Sequence, residues 1–328
     1  MLKLLAAATL ILAAIGPAAA EPAAKWCGGL KIAAFAGGPE GSPFSAQVAS
    51  GFRQAELDLG PTLTLYYSDW DANKMLTQMR DAVAAKVDGI AAYGMAGDRA
   101  TSPLIDKLFA GHGVFTSIHT QLPQTEAKYA RAGMGFVGAQ SRQLGLSLAT
   151  EAAARAKLAK GDEVLVFGLK AGGGERALRT AGVLEGLAKS GAKVTYQEID
   201  TATNKDANAG TAVFAGLFKK NPKFKLVITD HGGLTANAGV LAKAADLKPG
   251  QVAFAGVDFS PETAAAIGEG YLTVTIDQEP FVMGYLSVLD ICLAKKFGFI
   301  GMDVSTAGAV IDKNNVEAMK PLAAQHVR

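Results

Sequence analysis

Short apolar runs alternate with longer segments of helical periodicity along most of the chain. Leu30–Ala36 is a mainly apolar run, interrupted only by Lys31, of the kind that forms a buried strand. A turn-rich loop follows, and apolar residues then recur at helical spacing over Phe44–Leu59. The same order of strand, loop and helix continues to about residue 138. Further strands are predicted over Thr62–Tyr67, Val87–Tyr93, Gly113–Ile118 and Met134–Gly138, with helices over Asp71–Lys86, Thr101–Ala110 and Ser141–Lys160.

The pattern begins again at Asp162. We interpret the stretch between Ile118 and Met134 as a polar excursion. The residues after Lys296 form an irregular tail in this interpretation, with a strand-like segment at Ala309–Ile311. Strands are predicted over Asp162–Gly168, Val194–Ile199, Phe224–Thr229, Gln251–Val257 and Leu272–Ile276, with helices over Gly174–Ser190, Asn208–Lys220, Leu234–Ala245, Pro261–Gly268 and Phe281–Lys296.

Strict alternation of strands and helices predicts α/β architecture with parallel sheets and right-handed crossovers. About ten strands are more than one sheet usually contains, so we predict two α/β lobes. The break between the two series of strands falls near Gly138.

Polar side chains follow two of the late strands. Asp258 comes directly after the run VAFAGV, and Gln278 follows the run LTVTI. In open parallel sheets, ligands bind outside the carboxyl ends of the strands. These two residues therefore predict a polar rim suited to a ligand.

The first 20 residues have the features of a secretory signal peptide. Lys3 supplies a positive start, Leu4–Ile15 an apolar run, and Ala18–Ala20 a small-residue cleavage site. The apolar run is shorter than the ~20 residues of a membrane-spanning helix, which argues against the alternative of an anchor. Cleavage after Ala20 would leave Glu21 first in an exported protein.

Charge and cysteine content narrow the function classes. The formal net charge is +2, and no Lys/Arg cluster is mixed with aromatic residues, so a nucleic-acid partner is not expected. Cys27 and Cys292 are the two cysteines. In an exported protein an even pair predicts one disulfide, the alternative being two buried thiols.

Several local patterns occur in one order along the chain, and together they resemble a known family. They are Ser42-Pro43-Phe44, Leu59-Gly60, Asp88-Gly89-Ile90, Phe136-Val137-Gly138, Leu144-Gly145, Arg179-Thr180-Ala181-Gly182, Asp230-His231, Ala255-Gly256-Val257-Asp258 and Ile276-Asp277-Gln278-Glu279-Pro280. This set resembles the periplasmic sugar-binding proteins of the ribose/galactose type, which are solute receptors of ABC importers. The resemblance covers nearly the whole chain after residue 20.

The resemblance implies two Rossmann-like lobes joined by a three-strand hinge, with crossings near Val137–Ala139, Gln278–Glu279 and Val304–Gly308. The lobes would comprise residues 21–137 with 279–305, and residues 138–278 with 306–328. One sugar or polyol would bind between lobes that close by a hinge, without catalysis, cofactor or metal. The implied partner is the membrane permease of the importer, and we expect a monomer in the periplasm.

The resemblance also assigns candidate ligand contacts. Phe44 corresponds to the aromatic ring that stacks on the sugar, and Arg179 to the arginine that grips hydroxyl groups. Asp258 corresponds to the carboxylate that accepts two hydroxyl groups, and Gln278 to the hinge amide. Ser42 stands where the family usually has asparagine. We treat Arg176, near Arg179, as a solvated helix residue.

Two positions depart from the family pattern, and both place a histidine at a presumed rim. His119 stands where the ribose-type receptors carry an Asp-Arg pair, and Asp230-His231 stands where they carry Asn-Asp. These departures argue against ribose or galactose as the ligand. Tyr93 and Trp70, at strand ends, are secondary candidates for aromatic walls.

Other functions and other kinds of site have weaker support in the sequence. Gly172–Gly174 lacks the remainder of a phosphate-binding loop, and the chain has no G-x-S-x-G nucleophile elbow. The histidines and cysteines lack metal-ligand spacing. The main alternative is a receptor on the same scaffold that delivers a small signal molecule to a sensor kinase or chemoreceptor. A hydrolase is a distant third.

Overall fold

The computed structural model describes residues 25–171, 173–306 and 308–328. The predicted signal peptide and Gly172 of the glycine-rich loop lie outside the described residues. Within them, twelve strands form two six-stranded sheets. The first sheet contains β1 (Lys31–Phe35), β2 (Thr62–Tyr66), β3 (Gly89–Tyr93), β4 (Val114–Ile118), β5 (Gly135–Gly138) and β11 (Asp303–Ser305).

The strands of the first sheet lie in the order β11-β5-β4-β3-β1-β2 and are all parallel. The second sheet contains β6 (Glu163–Gly168), β7 (Lys193–Glu198), β8 (Phe224–Thr229), β9 (Ala253–Val257), β10 (Val274–Asp277) and β12 (Ala309–Asp312). Its order is β12-β10-β9-β8-β6-β7. Here β12 pairs antiparallel to β10, which departs from the predicted all-parallel arrangement.

Helices cover the sheets, which explains why the central strands are apolar on both faces. They are α1 (Pro43–Leu59), α2 (Ala72–Ala84), α3 (Asp98–Ala110), α4 (Pro123–Tyr129), α5 (Ser141–Arg155), α6 (Gly174–Ser190), α7 (Thr201–Lys205), α8 (Thr211–Lys220), α9 (Gly232–Ala236), α10 (Ala238–Ala244), α11 (Pro261–Gly268), α12 (Pro280–Phe297) and α13 (Val316–Ala324). Among the described residues, no helix is long and apolar enough to span a membrane.

The chain passes between the two sheets three times. It leaves the first sheet after β5 and enters α5, which packs on β8, β9 and β10. It returns after β10 into α12, which packs on β3, β4 and β5. The third passage leads from β11 to β12. The predicted class, two α/β lobes joined by three crossing segments, is therefore confirmed.

Several element predictions were wrong. The stretch interpreted as a polar excursion contains α4, which begins with a proline at its first turn, a position that proline favours. The tail interpreted as irregular ends in α13, whose internal Pro321 obscures the helical pattern. The single helix predicted over Leu234–Ala245 is two short helices that meet at Asn237. Neither α7 nor β11 is predicted, since both are shorter than the window that a periodicity needs.

Paired glycines bring two helices of the second lobe, α5 and α6, close together. A Cβ atom at Gly145 of α5 would collide with the backbone carbonyl of Arg179 on α6. A Cβ atom at Gly182 of α6 would collide with the carbonyl of Arg142 on α5. Glycine at both positions therefore allows direct backbone contact, and this contact places Arg179 over the end of the second sheet.

The predicted disulfide between Cys27 and Cys292 is present. It joins the segment before β1 to the middle of α12, and the two Cα atoms are 5.6 Å apart. Both residues are fully buried. Because 265 positions separate the two cysteines, the bond closes most of the chain into one loop.

We expect that replacing both cysteines, in a Cys27→Ser/Cys292→Ser variant, lowers stability by about 2–4 kcal/mol, since a long closed loop constrains the unfolded chain. Urea unfolding of both proteins measures the shift in midpoint. A reductant should move the wild-type midpoint toward that of the variant and leave the variant itself unchanged. Coincident midpoints for oxidised wild type and variant would contradict a stabilising bond.

Candidate ligand-binding site

The carboxyl ends of the strands of both sheets meet at one polar region. The first lobe contributes His119, after β4, and Tyr93, at the end of β3. The second lobe contributes Asp258, after β9, and Gln278, after β10. A direct hydrogen bond between His119 and Gln278 connects the two sides at this point.

The side-chain amide of Gln278 is the centre of these hydrogen bonds. Its Oε1 atom accepts from Arg179 Nη1 at 3.1 Å and from His119 Nε2, also at 3.1 Å. Its Nε2 atom donates to Asp258 Oδ1. The amide is only 2% exposed. One buried side chain therefore joins a residue of the first lobe to two residues of the second.

Arg179 is held on its other side by backbone. Its Nη2 atom donates to the carbonyl oxygen of Asp230 at 2.7 Å, and the residue is 3% exposed. The Asp230 carboxylate points into its own lobe. There it accepts from Thr180 Oγ1 at 2.6 Å and from Leu169 N at 3.1 Å. Asp230 therefore orders the loops of the second lobe around Arg179.

Burial shifts the pKa values of two residues at the junction. It raises the pKa of Asp258 above 3.8, against the opposing charge of Arg179. It lowers the pKa of His119 from 6.5 to about 4, and the positive charge of Arg179 adds to this shift. His119 is therefore neutral at physiological pH. Because Gln278 Oε1 can only accept, the Nε2 atom of His119 carries the proton.

Three residues at this junction have left-handed backbone conformations. The φ angle is 60° at His119, 70° at Asp258 and 60° at Glu279. A non-glycine residue pays about 1–2 kcal/mol for this conformation. Such local strain persists where surrounding contacts fix it. The hydrogen bonds of Gln278 hold His119 and Asp258, while Glu279 donates from its N–H to Asp277 and pairs with Arg328.

Aromatic rings form one wall of the region on the first lobe. Phe44 lies edge-on to Trp70, with ring centroids 5.8 Å apart, and edge-on to His119 at 6.0 Å. Trp70 lies edge-on to Tyr93 at 5.7 Å. A Cβ atom at Gly38 would collide with the Trp70 indole, so glycine there makes room for the ring.

Two predicted site residues are already engaged elsewhere. Ser42 precedes α1, and its hydroxyl donates to the Pro39 carbonyl at 3.0 Å. His231 caps α9, where its Nδ1 atom accepts from Leu234 N at 3.3 Å. Its Nε2 atom lies 3.2 Å from the Asn204 carbonyl oxygen. Burial, with the charge of Arg176, lowers the pKa of His231 from 6.5 to about 4.

The interpretation of Arg176 as a solvated helix residue is wrong. Its side chain is 24% exposed, and its Nη2 atom lies 3.4 Å from Asp230 Oδ1. Its Nη1 atom also donates to Asn204 Oδ1. Burial lowers its pKa. The sequence did contain a signal for this burial. Arg176 lies one turn before Arg179 on α6, and residues three apart share a helix face.

Three buried polar atoms in this region have no hydrogen-bond partner among the described residues. They are Tyr93 Oη, Arg176 Nε and Arg179 Nε. Buried donors of this kind are nearly always satisfied in folded proteins. Burial, with the charge of Asp258 nearby, also raises the pKa of Tyr93 well above 10, so its hydroxyl keeps its proton. All three atoms can therefore donate to hydroxyl oxygens.

A family comparison agrees with this geometry. The model of the periplasmic binding protein domain matches residues 32–294 of the chain. The chain belongs to this family. Family members bind solutes and are not enzymes. No cluster of three or more His, Cys, Asp or Glu side chains in the described part of this periplasmic binding protein is arranged to hold a metal ion.

Solved structures extend the comparison. A carbohydrate transporter of Acidothermus cellulolyticus in complex with myo-inositol is 26% identical, with a TM-score of 0.76, over 91% of this chain and 99% of that one. A Burkholderia graminis solute-binding protein in complex with D-arabinose is 20% identical, with a TM-score of 0.76. The match covers 88% of this chain and 97% of that one. This periplasmic binding protein therefore has the fold of ABC transporter solute-binding proteins that bind sugars.

A curated relative is the xylose/arabinose-binding protein XylF of Sulfolobus acidocaldarius. It is 26% identical over 239 residues, which make up 68% of this chain and 56% of the relative. The periplasmic binding protein described here thus spans little more than half the length of that relative.

We expect His119 to remain neutral down to about pH 5, because a buried imidazole beside Arg179 resists protonation. The ring ¹⁵N resonances, assigned with a His119→Gln variant, measure its titration. The expected midpoint is about 4, well below the ordinary value of 6.5. A midpoint near the ordinary value would show that His119 is hydrated and does not take part in the buried network.

Proposed function

We propose that this protein is an exported receptor of an ABC importer and binds one neutral sugar or polyol between its lobes. The observation that carries the proposal is the Gln278 network, which gathers Arg179, Asp258 and His119 from both lobes at one buried point. The sugar and polyol complexes of related structures support the same ligand class.

The aromatic wall suits the apolar face of a sugar ring. Phe44, Trp70 and Tyr93 contribute rings to one side of the region. The C–H face of a pyranose or cyclitol packs on such rings, while its hydroxyl groups project toward polar groups. Arg179 and the Tyr93 hydroxyl are donors, and Asp258 is an acceptor.

Charge balance favours a neutral ligand. Arg176 and Arg179 carry two positive charges, and Asp230 and Asp258 supply two carboxylates. The neutral imidazole of His119 adds no charge. A sugar acid or an amino sugar would bring an unbalanced charge into a buried site, which is costly.

Hinge closure is the proposed mechanism. The lobes would comprise residues 21–137 with 279–305, and residues 138–278 with 306–328. Ligand hydroxyls would bridge the two sides, so the ligand binds the closed state better and shifts the population toward it. The closed lobes would then present the ligand to a membrane permease.

We also propose that the protein is exported, which fits the same function. Cleavage after Ala20 would release a protein that starts at Glu21. The Cys27–Cys292 disulfide suits an oxidising compartment such as the periplasm. We propose that the receptor acts there as a monomer.

We expect one neutral sugar or polyol to raise the thermal stability of the purified protein in a panel of pentoses, hexoses, furanoses and cyclitols. At a ligand concentration of about 100 Kd, the added stability is about 2.7 kcal/mol. Sugar acids and amino sugars should have no such effect. A flat response to every neutral compound would overturn the sugar assignment.

We expect Asp258→Asn to weaken binding of that ligand about 10- to 100-fold, because an acceptor of two hydroxyl groups becomes partly a donor. Isothermal titration calorimetry measures the change. Asp81→Asn, at an exposed position of α2, is the matched control and should bind like wild type. Equal affinities for the two variants would place the ligand elsewhere.

A further inference from the structure

One direct hydrogen bond joins the lobes away from the Gln278 network. Gln47, on α1 of the first lobe, donates from Nε2 to the backbone carbonyl oxygen of Phe259 at 2.6 Å. Phe259 lies in the second lobe, between β9 and α11. Both residues are buried, with exposures of 2% and 1%. The sequence patterns do not single out Gln47.

Both ends of this bond are attached to candidate ligand contacts. Gln47 lies three residues after Phe44, so the two share one face of α1. Phe259 directly follows Asp258. The segment beyond it is held by Ser260, whose hydroxyl accepts from Thr263 N at 3.2 Å. The bond therefore ties the helix of the aromatic wall to the loop of the acceptor carboxylate.

The energetics of this bond depend on whether the lobes are together. When the lobes are apart, water can hydrogen-bond the Gln47 amide and the Phe259 carbonyl. When they meet, both groups lose water, and Gln47 Nε2 then donates to the Phe259 carbonyl, while the buried Gln47 Oε1 has no partner among the described residues. A closed state without the Gln47 donor would bury the Phe259 carbonyl without a partner, which is unfavourable.

We propose that Gln47 is a positioning residue that holds the closed state through the Phe259 carbonyl. Gln47 sets how long the lobes stay together rather than how the ligand is recognised. The proposal rests on the proposed function in one respect, namely that closure accompanies ligand binding. Because the bond lies between protein groups, its effect on the lobes can also be measured without any ligand.

The test compares Gln47→Leu and Gln47→Glu with Gln54→Leu. The leucine removes the donor, and the glutamate keeps the shape but replaces the donor with an acceptor. Gln54 lies on the same helix but is exposed, and its Nε2 atom donates to Asp58 Oδ1 of that helix at 2.9 Å, so it is the matched control.

Ligand kinetics give the first measurement. We expect ligand dissociation from both Gln47 variants to be about 5- to 50-fold faster by stopped flow, because a buried carbonyl loses its partner. Association should change little, since contacts formed after encounter mainly affect dissociation. The unfolding midpoint of the ligand-free variants should stay near that of wild type. Unchanged dissociation, or a midpoint lowered equally with and without ligand, would overturn the proposal in favour of local packing.

Distances between the lobes give the second measurement. Spin labels at Lys86→Cys in the first lobe and Lys219→Cys in the second report the separation of the lobes, and the two native cysteines are paired with each other. Without ligand, Gln47→Leu should populate the short distance less than wild type does. If no sugar binds, the proposed function fails while this comparison still decides the role of Gln47. Identical distance distributions for Gln47→Leu and wild type would overturn the proposed role of Gln47.

Discussion

The structure depends on one constraint, which is that polar groups buried where the two lobes meet must satisfy one another. The Gln278 amide meets this constraint because it accepts twice and donates once. Its partners are placed by different parts of the fold. The glycine contacts between α5 and α6 bring Arg179 to the sheet end, while left-handed backbone turns His119 and Asp258 toward the junction. Strained backbone and close packing thus both occur at the point where a ligand would act.

Two kinds of contact between the lobes follow from this arrangement. The Gln278 network lies beside the candidate ligand groups, so a ligand can add donors and acceptors to it. The Gln47–Phe259 bond involves protein groups alone. In the proposed receptor, the first contact would provide selectivity and the second would adjust the lifetime of the closed state.

The sequence patterns predicted the two-lobed fold and the disulfide, because apolar strand runs are local signals and two cysteines allow only one pairing. They also pointed to Arg179, Asp258 and Gln278, which the structure brings together, although their contact with a ligand remains a prediction. The positions of the neighbouring polar residues in the sequence did not reveal their hydrogen-bond partners or their burial. Asp230 and His231 share a strand end with the site, but their hydrogen bonds turn into their own lobe. Arg176 and Gln47 look like ordinary surface residues of amphipathic helices, and only the packing of the second lobe buries them.

The central claim is that ligand binding brings the two lobes together around the Gln278 network. Small-angle X-ray scattering tests it most directly, by comparing the radius of gyration of the ligand-free protein with that of the protein saturated by its sugar or polyol. The account predicts a smaller radius with ligand, and a smaller decrease when Gln278 is replaced by leucine. An unchanged radius in wild type at full saturation would contradict it.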